Sequence, residues 1–143
     1  MELIEQEHNT SCGIACVAML TDRKYHYVKN LAEKNECHFQ TPKNTLYTSS
    51  AHLIRLFNLS KKTKKISITS SRRKKFKSVE ELPDRAILSL PIAKEPKKWH
   101  WVVFERSGGG KVCLYDPKFK GSKKYVGIGN IEKMKITHFL EVK

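Results

Sequence analysis

The stretch HWVVFERSGGGKVCLYDP, residues 100–117, constrains the fold more than any other. Two strand-like runs, HWVVFER and KVCLYDP, meet at SGGGK (107–111). The three glycines there admit the positive φ that tight hairpins need. SGGGK lacks the GxxxxGK[ST] spacing of a phosphate loop and no helix pattern follows it, so a hairpin turn is expected. A hairpin of this kind commits the C-terminal half to an antiparallel sheet. RAILSLPI (85–92) adds a short apolar run ending at Pro91, and KISITS (65–70) alternates. KKYVGIGNI (123–131) and KITHFLEV (135–142) read as two more strands.

The first half has helical periodicity. SCGIACVAML (11–20) places Ile14, Val17 and Ala18 on one side, with Ser11 as the expected N-cap. Residues 25–36 place Tyr27, Val28 and Leu31 at similar spacing. The loop TPKNTLYTSS (41–50) carries Pro42. Ser49 or Ser50 then caps a third helix with a Leu53, Leu56, Phe57 stripe. Helices followed by strands predict an α+β fold, N-terminal helices packed on a C-terminal antiparallel β-sheet. A length of 143 residues suits one domain, 1–143.

No apolar run approaches the roughly 18 residues of a membrane span, and the opening MELIEQEHNT does not read as a secretory signal. The expected location is the cytoplasm, or delivery as an effector domain cut from a larger protein. Four cysteines, Cys12, Cys16, Cys37 and Cys113, are too few for a dense framework, so free thiols are expected. His8, Cys12 and Cys16 are spaced by four, but no CxxC pair or fourth ligand accompanies them. No metal site and no cofactor are expected.

Net charge is +14 and unevenly placed. Residues 37–79 hold eleven basic and no acidic residues, leaving seventeen basic against fourteen acidic elsewhere. Nine of the eleven fall in two clusters: Lys61, Lys62, Lys64 and Lys65, then Arg72, Arg73, Lys74, Lys75 and Lys77. A one-sided field favours an acidic partner, whether RNA or an acidic inhibitor (immunity-type) protein. The bland alternative is a solvated face, or lysines guarding a sheet edge. The latter needs one or two lysines, not nine.

A thiol needs help to become a nucleophile at neutral pH, either from a helix N-terminus or from a histidine. Cys12 stands where the first device acts, and Gly13 beside it permits close backbone approach. His100 opens one strand of the hairpin and Asp116 closes the other, so Asp116 can orient the imidazole. Gln6, six residues ahead of Cys12, can offer its amide to a developing oxyanion beside the Cys12 N–H. The competing readings are a buried structural thiol for Cys12, a satisfied strand histidine for His100 and a turn-setting Asp116 before Pro117. Cys16 lies deeper in the apolar run and reads as core. Cys37 and Cys113 read as structural. Trp99 and Trp101 flank His100, one to wall a cleft and the other to pack in the core. His8, His26, His38, His52 and His138 are left without a role.

The set Gln6, Cys12-Gly13, His100 and Asp116-Pro117 resembles the bacteriocin-processing cysteine peptidases. These are papain-like domains that cut leader peptides after a double glycine. The intervals of six from Gln6 to Cys12 and sixteen from His100 to Asp116 match that family's pattern. The resemblance covers residues 1–36 and 82–120 and implies a papain-like fold and a Cys-His-Asp triad with a glutamine in the oxyanion hole. It implies a peptide or protein substrate, and gives no reason for the basic middle. Two other functions therefore stand beside the peptidase. One is an antibacterial toxin or effector domain on the same scaffold, acting on RNA as a nuclease and neutralised by an acidic inhibitor. The other is a non-catalytic binding module.

Overall fold

The computed structural model describes residues 1–42, 46–69, 72–92, 95–118, 124–125 and 128–143. Helix α1, Cys12–Thr21, is apolar all round and all ten of its residues are buried. It ends on Asp22 in the left-handed region (φ 53°), whose N–H reaches the Ala18 and Met19 carbonyls. Helix α2, Tyr25–Lys34, is amphipathic and buries Tyr25, Val28 and Ala32. Tyr27, expected on the buried stripe, is instead 43% exposed. The stripe is rotated because Tyr25 turns inward, where its hydroxyl donates to Ser11 Oγ at 2.7 Å. Helix α3, Ser50–Ser60, buries Leu53, Leu56 and Phe57 as the spacing predicts. Its cap is Ser49, in a capping box completed by a histidine: His52 N donates to Ser49 Oγ, and Ser49 N donates to His52 Nδ1. His52 thus has a structural role that its sequence context did not suggest.

Among the described residues, six strands form one antiparallel sheet. They are β1 (Lys74–Lys75), β2 (Arg85–Ile92), β3 (Glu95–Arg106), β4 (Val112–Tyr115), β5 (Lys124–Tyr125) and β6 (His138–Glu141), in the order β1-β6-β2-β3-β4-β5. The β3–β4 hairpin turns at Gly109 and Gly110, both at positive φ. Along β3, Trp101 and Val103 face α1–α3, while Val102 and Phe104 face a second core with Leu88, Leu114, Ile131 and Phe139. A strand buried on both faces explains why HWVVF reads as an unbroken apolar run.

Two expected strands differ. KISITS contributes only a bridge, Ile68 to Val142, with Ser67 and Lys143 exchanging backbone hydrogen bonds; its Ser70 lies outside the described residues. The reason is that β6 divides its free edge between this segment and β1, which pairs with His138 and Phe139. KKYVGIGNI gives the two-residue β5 and then a short helix α4, Ile128–Lys133, rather than one strand; its residues 123 and 126–127 lie outside the described residues. Ile131 on α4 caps the second core. Among the described residues, no helix is long and apolar enough to cross a membrane.

Gly13 has a packing reason rather than only a catalytic one. A Cβ there would overlap Thr48 Oγ1 and come within 2.7 Å of Leu53 Cδ2 and 3.1 Å of Trp101 Cδ1. Its absence lets α1 seat against α3 and β3. Gly13→Ala is expected to cost about 1–3 kcal/mol by overpacking, read as a lower urea midpoint. An unchanged midpoint would mean that α1 is free to slide.

Candidate active site

Ser11 precedes α1 but its side chain does not cap it. Its hydroxyl donates to the His8 carbonyl (2.9 Å) and accepts from Tyr25 and from His8 N. No acidic residue occupies the first turn. The positive end of the helix is therefore left without a side-chain anion, at the point where Cys12 stands. Cys12 is 3% exposed, and its Sγ accepts from Trp101 N at 3.5 Å. That contact ties the start of α1 to β3, one residue past His100.

His100 Nε2 meets Asp116 Oδ1 at 2.7 Å across the β3–β4 pair. The Cys12 thiol is near enough for its charge to act on the ring. Burial opposes a charge on the ring, but the Asp116 bond and the negative charge of Asp116 and the neighbouring Cys12 outweigh it, carrying His100 up to about 9. Burial likewise opposes the Asp116 carboxylate, yet the His100 bond and a 2.9 Å bond from Lys118 N hold it below its ordinary value. Imidazole and carboxylate thus form a hydrogen-bonded pair, and the Cys12 thiol is held on the backbone of the residue that follows His100.

Gln6 is tied to the same loop, its backbone N donating to the Pro117 carbonyl at 3.0 Å. Its amide Nε2 donates to the carbonyls of His8 (2.9 Å) and Asn9 (3.1 Å), and Oε1 is buried. The glutamine side chain thereby sits on the turn that leads into α1.

The Peptidase C39 family model matches residues 1–133. The chain belongs to the Peptidase C39 family. No curated protein matches it. Membership gives it the class of papain-like cysteine peptidases, and the N-terminal helices and antiparallel sheet are consistent with a papain-like fold.

Within this C39 domain all four cysteines are buried and none is in a disulfide. Burial first, then the nearby Cys12 and Asp116 charges, push the Cys16 thiol well above its ordinary value, which leaves it a core group. Trp101 is fully buried, with its indole N–H on the Thr48 carbonyl, while Trp99 walls a cleft. The basic segment is divided. Arg72–Lys75 line that cleft, whereas Lys62 pairs with Asp22 at 3.1 Å beside a different one. Lys64, Lys65 and Lys77 are exposed and Lys61 is half-buried. Lys74 pairs with Glu141 at 3.3 Å. The groups that sequence reasoning missed are backbone donors, Trp101 N and Lys118 N. No residue-type signal marks a backbone N–H, so only the strand register reveals them.

Proposed function

We propose that the chain is an active cysteine peptidase, acting as one domain, in which Cys12 attacks, His100 moves the proton and Asp116 orients the ring. The observation that supports this reading best is the His100–Asp116 bond of 2.7 Å, with the Cys12 sulfur held on the backbone N–H of the next residue, Trp101. With His100 charged, the Cys12 thiolate adds to a peptide carbonyl carbon and the C–O π pair moves to oxygen. The oxyanion is held by the Cys12 backbone N–H and by the Gln6 amide, which leaves its carbonyl partners on the 8–9 turn to do so. His100 gives its proton to the departing amine as the C–N bond breaks, leaving a thioester. His100 then takes a proton from water, whose hydroxyl displaces the sulfur and releases the acid.

Digestion of a peptide library by the purified chain tests this directly. The parent is expected to cut, and a folded parent that cuts nothing would sink the reading. Asp116→Asn is expected to cut the same bonds more slowly but less disastrously than loss of the thiol, because Asp116 orients and does not react. The sign with pH follows from His100. The imidazolium is held below about pH 9 in the parent and is lost as pH rises through that value. Removing the Asp116 charge moves this alkaline limb to lower pH. A profile that stays put would show that Asp116 does not support the ring.

A further inference from the structure

We infer that the cleft between β1 and the start of α3 receives an acidic side chain of the peptide substrate. The inference rests on the peptidase reading above and adds a substrate preference to it. The cleft has a volume of about 1030 Å³ and is lined by Ser49, Arg72, Arg73, Lys75, Trp99 and His138, among others. That is near the upper end of the roughly 300–1000 Å³ typical of small-ligand sites, enough for a side chain or two of an extended peptide.

Its charge is uncompensated. Lys74 has Glu141, but among the described residues no carboxylate pairs with Arg72, Arg73 or Lys75. The field acts on the cleft's own wall. Burial, and then the Arg73 and Lys75 charges, lower the pKa of His138, so the wall disfavours a further positive charge and suits an anion. Position links the cleft to catalysis. Trp99 directly precedes His100, and the Tyr47 hydroxyl clamps the Trp99 backbone by bonding both its N–H and its carbonyl.

A carboxylate suits this site better than a nucleic acid. Single-stranded RNA is held by bases stacked on open aromatic faces. The Trp99 ring is already partnered: the Arg73 guanidinium lies over it, 5.2 Å from its centroid, Tyr47 is packed at 5.3 Å and Trp101 at 6.0 Å edge-on. A stacked guanidinium still presents its in-plane N–H donors, the fork that fits a carboxylate.

The test uses two synthetic decapeptides alike except for three central residues, Glu-Glu-Glu or Gln-Gln-Gln, added to the Cys12→Ala chain so that neither is cut. Binding is followed through the His138 imidazole signals by NMR. The Glu peptide is expected to bind at least about tenfold more tightly, the effect of one charge-assisted contact. Its binding should weaken with added salt and should raise the pKa of His138. In Arg72→Gln/Arg73→Gln/Lys75→Gln the ratio between the two peptides should fall to about one. Equal binding of both peptides to the parent, or a ratio that survives in the triple variant, overturns the inference. So does an oligouridylate that binds more tightly than the Glu peptide and loses that binding in the triple variant. The salt series on the parent needs no variant and stands alone if the triple variant misfolds. The peptidase reading has a separate fate. Library cleavage with no enrichment of acidic residues beside the cut, and no Glu preference in binding, removes the acidic site and leaves the peptidase. Glu-selective binding by a parent that cuts nothing removes the peptidase and keeps the cleft as an acidic-peptide site.

Discussion

Cys12→Ala is expected to lower turnover by a factor on the order of 10⁴ or more, since loss of a nucleophile removes the covalent route altogether. The fold should survive. The lost thiol is small, Ser11 retains its bonds to His8 and Tyr25, and the ten buried residues of α1 keep their packing, apart from one sulfur. The control is Cys16→Ala, one turn further along the same helix. That thiol is buried and held protonated, so its removal should cost some stability and spare most of the turnover. Measuring both variants by peptide cleavage, with circular dichroism to verify folding, separates the two thiols. Full turnover in Cys12→Ala together with loss in Cys16→Ala would reverse the assignment.

His100→Ala is expected to be nearly as damaging, because in the proposed mechanism the ring serves three times: it charges the thiol, protonates the amine and activates water. Its second signature is more specific than lost turnover. In the parent the imidazolium persists up to about pH 9 beside the sulfur, and a cation there favours the thiolate. Without it, the rate of Cys12 alkylation by limiting iodoacetamide should fall, because no cation is left to favour the nucleophilic sulfur. Peptide mapping by mass spectrometry reads Cys12 apart from Cys16, Cys37 and Cys113. An alkylation rate unchanged by the mutation would mean that imidazole and thiol do not act as a pair.

Much of this was legible in the chain itself. The SGGGK turn between apolar runs requires a hairpin because glycine alone takes positive φ freely, and Gly109 and Gly110 do so. The hairpin brings position 100 near position 116, so the His100–Asp116 pair follows from strand length and turn position. The apolar run after Cys12 could only be a buried helix, which puts the thiol at its start. These are local consequences of period, turn chemistry and spacing. Other features depended on contacts between distant segments. KISITS had the alternation of a strand but found the β6 edge already shared with β1. Tyr27 lost its inward place because Tyr25 had a buried partner in Ser11. Gly13 read as a catalytic convenience, yet what forbids a side chain there is Thr48, Leu53 and Trp101. The basic segment read as one feature of charge, but the turn of the chain set Lys62 on Asp22 and Arg72–Lys75 along a cleft beside Trp99. Sequence period decides which side of an element is apolar and where a chain can turn. Which distant group then meets that side depends on strand register and helix seating, and these are settled only when all the elements compete for the same core.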